Sequence, residues 1–314
     1  MIISTTGHEL AMAVILLLGI VIVRCLYRVY IHPLSSVPGP RIAACTSLWL
    51  AYHTYVGDEC SVIFELHKKY GTVVRVAPND VDIDDGDAIE PIYITNGGFP
   101  KTPAYAKFDI DGHTTIFSTL TLAERARRAK AVSPIFSTYS IRSSKDGLSQ
   151  VVDDFVDKVR AEAGRSPGKT VNVLNSTRSM AIDIVSAHLF HQRYGAVTED
   201  SKTMSASPFV DAYVAVGSFF NLWTGRVGNV IQHGVDYLTT DSNTETAFEL
   251  IDRFTKQLIA TSVPNSGSYQ SRLLETVSMQ QSQIELKDVC FAGTDSTGMT
   301  TATIMWYLTK NPTM

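Results

Sequence analysis

The chain opens with a run of apolar residues that no charged position interrupts. Residues 10–23 read LAMAVILLLGIVIV, and Arg24 and Arg28 follow within an apolar continuation. The run is shorter than the roughly 20 residues that span a bilayer, but a helix that continues to Ile31 is long enough if both arginines extend to the interface. We therefore predict a membrane anchor over residues 1–31. A cleaved signal peptide and a buried core helix are the alternatives.

Basic residues flank this run on one side only. No Lys or Arg precedes it and two Arg follow, so the positive-inside rule places the amino terminus in the lumen and the rest of the chain in the cytosol. The next segment, HPLSSVPGP over residues 32–40, carries three prolines. Prolines cannot continue a helix and favour an extended, stiff connector. We predict a proline-rich hinge there, followed by a body over residues 41–314.

Within the body, the spacing of apolar positions indicates a short sheet and several helices. The stretch ELHKKYGTVVRVAPNDVDIDD, residues 65–85, alternates around an Ala-Pro-Asn-Asp turn, which predicts a helix end followed by a β-hairpin. Apolar residues at helical spacing predict helices over residues 148–159, 178–191 and 247–260. No repeat or change of composition marks a second domain. The expected fold class is mainly α with a small β-sheet.

Composition and charge exclude several classes of function. The 314 residues are 45% hydrophobic and 18% charged, with a net charge of −4, which is globular and offers no basic stripe for nucleic acid. The four cysteines lack zinc-binding spacing. His188 and His191 stand three apart without an acidic third ligand, which favours a core histidine over a metal pair. We expect no nucleic-acid partner and no metal held by these side chains.

The last apolar segment contains an unexpected group of small and polar residues. One long helix is predicted from about Ile284 to Lys310, ended by the Asn-Pro pair that follows. Its stretch AGTDST, residues 292–297, is poor helix-forming sequence, because Gly costs roughly 1 kcal/mol relative to Ala and Ser and Thr compete for backbone carbonyls. We expect a local distortion there, in which side-chain hydroxyls complete the backbone hydrogen bonds.

The same acid and hydroxyl have two other interpretations. Asp295 or Ser296 would cap a shorter helix if the preceding DVCF were a strand. A serine hydrolase elbow, G-x-S-x-G, would need Gly at position 294 and finds Thr294, which excludes it.

Several stretches resemble fungal microsomal cytochromes P450. YRVYIHPLSSVPGPRIAACTSLW resembles the family's anchor and hinge, FPKTPAY resembles a later loop, and FAGTDSTG followed by WYLTKNP resembles the central helix. The resemblance implies an incomplete cytochrome P450 fold behind a transmembrane helix at the endoplasmic reticulum. It also implies haem, electrons from NADPH through a partner reductase, and oxidation of a small hydrophobic metabolite in fungal secondary metabolism. Substrate-lining segments are expected around residues 99–118, 207–224 and 288–297.

Residue by residue, the resemblance implies roles in the central helix. Ala292 and Gly293 would leave room for dioxygen. Asp295 takes the acid position of the proton relay and Ser296 the alcohol position, with Thr297 beside it. A carboxylate and a neighbouring hydroxyl can hold an ordered water in a pocket that excludes bulk solvent. Ser in place of the commoner Thr keeps the hydroxyl but loses the methyl that limits its rotamer.

The stretch AERARRAKAVSPIFS resembles the helix whose W-x-x-x-R pattern holds a haem propionate. Arg125 stands at the aromatic position and Ala129 at the arginine position. Arg127, Arg128 or Lys130 would replace the lost charge, and we take Arg125 and Arg128 as candidate cofactor-binding residues. A solvated basic helix face is an equal alternative.

The proximal haem face of the family is not found in this sequence. The F-x-x-G-x-R-x-C-x-G loop surrounds none of the four cysteines, and no E-x-x-R pair follows the central helix. The expected protein is therefore a P450 monooxygenase truncated after the proton-relay helix and inactive alone. The alternative is a catalytically inactive, membrane-anchored remnant that binds a partner protein or an apolar ligand.

Overall fold

The computed structural model describes four stretches of the chain, which are residues 3–165, 171–200, 204–215 and 242–313. They form two compact units, the first ending at Phe99 and the second beginning at Pro100. Residues 216–224 of the expected substrate-lining segment 207–224 lie outside the described residues.

Within its described residues, the first unit contains a long amino-terminal helix, three shorter helices and a two-stranded sheet. These are α1 (Ile3–Tyr30), α2 (Arg41–Cys45), α3 (Leu48–Val56), α4 (Glu59–Tyr70), β1 (Val73–Arg75) and β2 (Val81–Ile83). The stretch His8–Tyr30 of α1 is long and apolar enough to cross a membrane, and none of it is buried. A core helix buries its apolar side chains, and the described structure does not bury those of this stretch; the membrane anchor stays a prediction.

The predicted β-hairpin is confirmed. β1 and β2 pair antiparallel, with Val74 opposite Asp82, across a turn in which Val76 N donates to Asp80 O at 3.1 Å. Val74, Val76 and the neighbouring Ala77 are buried in a small core that Leu50 of α3 completes.

The hinge differs from the extended connector that its prolines predict. Ser35 N donates to His32 O at 2.8 Å and Val37 N to Leu34 O at 3.1 Å, so the first part forms turns. The physical reason is a tertiary contact: the guanidinium of buried Arg75 donates to Leu34 O at 3.3 Å. Arg75 also donates to Arg28 O at 2.8 Å and to Pro78 O at 2.7 Å, so it gathers carbonyl groups from three segments.

Gly39 allows the end of the hinge to lie against β1. Arg75 N donates to Pro38 O at 2.8 Å. A Cβ atom at position 39 would stand 2.4 Å from Arg75 O, a contact that real side chains do not make.

Across its described residues, the second unit is helical. Its helices are α5 (Leu122–Val132), α6 (Thr138–Ser143), α7 (Lys145–Arg165), α8 (Val173–Phe190), α9 (Ala206–Ala215), α10 (Ser242–Ala260), α11 (Tyr269–Leu274) and α12 (Met279–Lys310). The three helices predicted from periodicity correspond to α7, α8 and α10, so the expected class of a mainly α fold with a small sheet is confirmed.

The long helix α12 begins earlier than its apolar pattern predicts. It starts at Met279, because the side chain of Ser278 accepts a hydrogen bond from Gln281 N at 3.2 Å and caps the first turn. It runs for 32 residues without interruption, so the expected distortion is not present. The alternative in which Asp295 or Ser296 caps a shorter helix is also wrong, since both lie in its middle.

Side-chain hydroxyls donate back to the helix where the distortion was expected. Thr294 Oγ1 donates to Cys290 O at 2.5 Å and Ser296 Oγ to Ala292 O at 2.8 Å. Both acceptors are four residues earlier, so these bonds supplement the helix ladder without breaking it.

Two glycines of α12 allow close packing against α8. A Cβ at Gly293 would stand 2.5 Å from Cγ2 of Val185, and one at Gly298 would stand 3.0 Å from Cα of Arg178. Thr177 Oγ1 donates to Gly298 O at 2.9 Å across the same contact. α8 and α12 together form the centre of the second unit.

His188 is a core histidine, as its sequence context predicts. Its Nδ1 lies 2.9 Å from Ser144 Oγ and its Nε2 lies 3.1 Å from Ile135 O. Both ring nitrogens therefore have protein partners. His191 is exposed and ends α8 with a left-handed backbone. Among the described residues, no group of three or more His, Cys, Asp and Glu side chains could hold a metal ion.

Candidate functional site

Three of the predicted site residues are exposed along α12. Ala292, Ser296 and Thr297 are solvent-accessible, while Gly293 is half-buried against α8. Ala292 and Ser296 are four residues apart and so occupy one side of the helix, about one turn from each other. The methyl group of Ala292 leaves space beside the hydroxyl of Ser296. This surface of Ala292, Ser296 and Thr297 is called the open face below.

Asp295 lies toward α8 rather than on the open face. Its Oδ1 accepts a hydrogen bond from Arg178 Nη2 at 3.0 Å, and its side chain is 30% exposed. The other arm of Arg178, Nη1, donates to Asp211 Oδ1 of α9 at 2.7 Å. Arg178 is 4% exposed at its side chain, so one buried guanidinium is shared between two carboxylates.

Sharing Arg178 lowers the energetic cost of separating the Asp295 carboxylate from the guanidinium. When a buried arginine loses its only anionic partner, the folded state is destabilised by several kcal/mol, because an unpaired charge is left away from water. Asp211 keeps Nη1 neutralised when Asp295 releases Nη2. Asp295 can therefore turn toward Ser296 without leaving Arg178 unpaired. Sequence reasoning did not find Arg178, and nothing in its local sequence distinguishes it from an exposed helix arginine.

Arg128 occupies a buried polar network. Its Nη1 donates to Glu285 Oε1 at 2.6 Å and to Thr114 O at 2.9 Å, and its Nη2 donates to Thr119 Oγ1. The side chains of Arg128 and Glu285 are both 1% exposed. A contact between Arg128 and a haem propionate would require exchange of these partners, whereas Arg125 is exposed on α5.

A lysine and two aromatic rings lie together in the loop before α5. The Lys101 ammonium lies 5.0 Å from the Tyr105 ring centroid and 4.8 Å from that of Phe117, and it donates to Phe117 O. Burial lowers the pKa of Lys101, and the nearby charge of Arg125 lowers it further. This loop belongs to the segment 99–118 that was expected to line the substrate pocket.

Asp288 belongs to the first half of α12. It precedes Ala292 by four residues and Ser296 by eight, which is about 12 Å along the helix axis. Burial raises its pKa to about 6, while its hydrogen bond with Thr115 and the charge of Lys101 act in the opposite direction. The sequence pattern included Asp288 in a lining segment but did not single it out, although its spacing from Ser296 was a usable signal.

The second half of α12 presents an apolar surface. Met299, Ile304, Trp306, Tyr307 and Leu308 each expose roughly half of their surface. A groove of about 460 Å³ opens between this half and the start of α8. Its lining residues are Val173, Leu174, Met299, Ala302, Thr303, Trp306 and Tyr307. A contiguous exposed apolar surface is typical of a site that binds a protein, a membrane or an apolar ligand.

Comparison with known proteins assigns this helical architecture. The family model of cytochrome P450 matches residues 37–314, which is most of the chain. The chain belongs to the cytochrome P450 family. The resemblance drawn from the hinge and from FAGTDSTG is thereby confirmed.

Curated relatives of this P450 chain are fungal. "Cytochrome P450 monooxygenase mfmF" of Annulohypoxylon moriforme is 34% identical over 315 residues, covering 93% of this chain and 63% of the relative. "Cytochrome P450 monooxygenase FrzC" of Cladobotryum sp is 24% identical over 91% of this chain and 59% of its own length. "Fusicoccadiene C-8 hydroxylase" of Alternaria brassicicola is 32% identical over 193 residues, 58% of this chain and 35% of the relative. The chain therefore spans about three fifths of the length of the first two relatives.

The P450 family implies haem, and the described residues fit one side of it. The open face carries small and hydroxyl side chains, which suit the side on which oxygen binds. The cysteines of the chain, in contrast, do not fit the axial thiolate ligand of haem. Cys290, the cysteine of α12, is fully buried in the apolar core, and burial raises its pKa to about 12, so it is held as a thiol. Cys25, Cys45 and Cys60 belong to the first unit, and none has the sequence context of the family's ligand loop.

Proposed function

We propose that this chain provides the oxygen- and substrate-handling side of a fungal P450 monooxygenase that oxidises a small hydrophobic metabolite in secondary metabolism. The relatives that are named as a monooxygenase and as a hydroxylase support this proposal. Haem, when bound, would supply oxygen activation, with electrons from NADPH through a partner reductase. Its axial thiolate would come from polypeptide outside these 314 residues.

The arrangement of Asp295, Arg178 and Asp211 carries the proposal. Asp295 is partly exposed and thus reaches protons from solvent, while its neighbour Ser296 faces the open side of α12. In the resting arrangement Arg178 holds the Asp295 carboxylate toward α8 at 3.0 Å. When Asp295 takes up a proton from solvent and turns, Asp211 retains the guanidinium; the Asp295 carboxyl then gives this proton to the Ser296 oxygen, and Ser296 gives its own hydroxyl proton to an acceptor at the open face. An acid that alternates between solvent and a closed pocket is suited to this task.

Ser296 receives this proton at the open face. Its hydroxyl donates to Ala292 O at 2.8 Å in the resting arrangement. Rotation about χ1 frees the hydroxyl to donate outward, and the absence of a β-methyl permits the rotation. Thr297 offers a second hydroxyl one position further. Gly293 fulfils only part of its proposed role of leaving space for dioxygen, because a side chain at this position would point at Val185 of α8.

The proposed location is the endoplasmic reticulum membrane, with α1 as a single-pass anchor and the body in the cytosol. The apolar stretch His8–Tyr30 and the two arginines that end it support this orientation. For the haem propionates we propose Arg125 as the exposed cation. Arg128 is the second candidate, and it requires release from Glu285.

The test begins with the transcript, read from its 5′ end through the codon for Met314 and beyond. The protein that it encodes is expressed in microsomes with an NADPH-dependent reductase. We expect a carbon monoxide difference spectrum of thiolate-ligated haem, and NADPH consumption coupled to product. Replacement of Asp295 by Asn should lower the rate of product formation by roughly 10²-fold, because a positioned proton donor contributes about that factor to the rate, and it should also lower the product formed per NADPH.

Two variants serve as comparisons for Asp295→Asn. Asp157→Asn removes an equally negative but exposed carboxylate of α7 and should change nothing. Asp211→Asn should lower the product-to-NADPH ratio by a smaller factor, since Arg178 then depends on Asp295 alone and releases it less often. An unchanged ratio in Asp295→Asn, with an intact carbon monoxide spectrum, would exclude the proposed proton path.

A second candidate is an inactive, membrane-anchored remnant that binds a partner protein or an apolar ligand. The burial of Cys290 and the exposed apolar half of α12 favour it. A stop codon after Met314, absence of haem absorbance, and co-purification with a second P450 would together establish this alternative.

A further inference from the structure

Only one face of α1 is in contact with the rest of the first unit. From residue 8 to residue 30, every side chain is exposed apart from Cys25, Arg28 and Val29. These positions are three and four residues apart, so they form a single stripe on the helix. The stripe lies at the carboxyl end of α1, next to the hinge.

The partner of this stripe is the end of α2. Arg28 Nη1 donates to the backbone oxygen of Cys45 at 2.5 Å. Cys25 lies one turn before Arg28 on the same stripe, which brings its side chain to Cys45. The two thiols form a side-chain hydrogen bond, and both are free. Each is half-buried, so the pair remains accessible to a small solute.

The other two cysteines have different surroundings. Cys60 is exposed on α4, and Cys290 is buried in the second unit. Burial and the hydrogen bond with Cys25 raise the pKa of the Cys45 thiol. The contact between Cys25 and Cys45 is held together by the packing of α1 on α2 and by the hydrogen bond from Arg28 Nη1 to Cys45 O.

We propose that Cys25 and Cys45 are an oxidation site that hydrogen peroxide closes to a disulfide, tying the membrane helix to the first helix of the body. Peroxide oxidises one sulfur to a sulfenic acid and leaves as water. The second thiol attacks that sulfur, the S–S bond forms, and a second water leaves. In sum, two thiols lose two electrons and two protons, and one peroxide is reduced to two waters.

The disulfide would remove the freedom of the hinge. The bond encloses residues 26–44, which include the whole proline-rich segment. In the reduced chain this segment is held by non-covalent contacts, among them the hydrogen bonds from Arg75 to Arg28 O and Leu34 O. Oxidation replaces a set of reversible bonds by a covalent one, so the direction of α1 relative to α2 becomes fixed.

The experiment uses the full chain in lipid nanodiscs, first reduced and then freed of reductant. Graded hydrogen peroxide is added at mildly alkaline pH, free thiols are alkylated, and the protein is digested for mass spectrometry. We expect a peptide that joins Cys25 to Cys45 and has lost two hydrogens. It should disappear in Cys45→Ser, while the oxidation of exposed Cys60 is unchanged.

A second readout is cleavage by trypsin after Arg41, which is exposed inside the enclosed segment. After oxidation, the anchor fragment should stay attached to the body on a non-reducing gel and separate on reduction. In Cys25→Ser it should separate under both conditions. Oxidation of Cys60 with Cys25 and Cys45 both still open to alkylation would overturn the proposal. A lipid adduct on Cys25, or linkage of either cysteine to Cys60, would also overturn it.

Discussion

Breaking the buried ion pair between Arg128 and Glu285 should destabilise the second unit in a way that depends on which partner is removed. The pair joins α5 to α12 at 2.6 Å, and both side chains are 1% exposed. Removing one member of a buried pair leaves an uncompensated charge and costs about 3–5 kcal/mol. Arg128→Met and Glu285→Leu test the two directions, and each replacement has a similar volume and no charge.

The pH dependence of the two penalties should differ. In the native chain, burial raises the pKa of Glu285 in spite of its hydrogen bonds from Ile116 N and Arg128. A carboxyl whose folded pKa is raised contributes stability that is present below its unfolded pKa and is lost as pH rises through the folded value. Arg128→Met raises that folded pKa further. Its penalty should therefore grow with pH, by up to about 1.4 kcal/mol per unit while the carboxyl is held protonated.

Glu285→Leu should behave differently, because an arginine does not lose its proton in this range. The penalty of Glu285→Leu should therefore not grow as pH rises. Asp288, whose pKa burial raises to about 6, titrates in the same window. The unfolding free energies of the variants are therefore compared with one another at each pH, and the pH profile of a single variant is not interpreted by itself. The double variant should cost less than the sum of the single ones, with a coupling of roughly 1–3 kcal/mol.

The assay is urea unfolding of the full chain in nanodiscs, followed by far-ultraviolet circular dichroism at several pH values. Arg127→Met is the matched control, because Arg127 is the preceding residue of α5, is exposed and donates to a backbone oxygen, Thr276 O, at 2.8 Å. Its effect should remain within about 0.5 kcal/mol. The reasoning is refuted if Arg128→Met costs no more than Arg127→Met, or if the two single penalties add fully in the double variant.

Two further predictions concern close packing and protonation. Gly298→Ala should destabilise the chain by about 1–3 kcal/mol, because the new Cβ would meet the backbone of Arg178. Gly147→Ala, which places its Cβ in open space, should instead stabilise the chain by about 0.5–1 kcal/mol. Thermal unfolding of both variants measures the difference, and equal shifts in unfolding temperature would contradict the prediction. Asp82 accepts a hydrogen bond from His67 at 2.8 Å and raises the pKa of His67 above the ordinary 6.5. The stability that this pair contributes is therefore full below pH 6.5 and is lost as pH rises through the raised pKa. The difference in unfolding free energy between the native chain and Asp82→Asn should therefore shrink as pH rises from below 6.5 through the raised pKa of His67, and a constant difference would contradict the assignment.

Local sequence was sufficient for several elements of the second unit. The apolar positions of 148–159 and 247–260 recur at helical spacing, and each segment is helical because burying that stripe outweighs its weak intrinsic preference. The early start of α12 was also readable. Ser278 followed three residues later by Gln281 is the pattern of a capping box, and the apolar periodicity alone obscured it.

The hinge shows where a local rule was insufficient. Prolines predict extended backbone, and the last residues before α2 follow that rule, with Pro40 at φ −62° and ψ 129°. The preceding residues form turns instead. Their carbonyl groups bind Arg75, which lies 41 residues away from Leu34 in the chain. No window of neighbouring residues contains that interaction.

By itself, the sequence determined the apolar amino-terminal helix, the hairpin, the long α12 and the family, because each depends on residues that are close together along the chain. The acid and hydroxyl of AGTDST were likewise visible as a motif. Only the tertiary structure decided what those residues touch. Arg178 meets Asp295 across 117 residues and Arg128 meets Glu285 across 157. Such pairs form because α8 and α5 pack against α12, and the energy of a buried charge depends on which atoms surround it rather than on its neighbours in sequence.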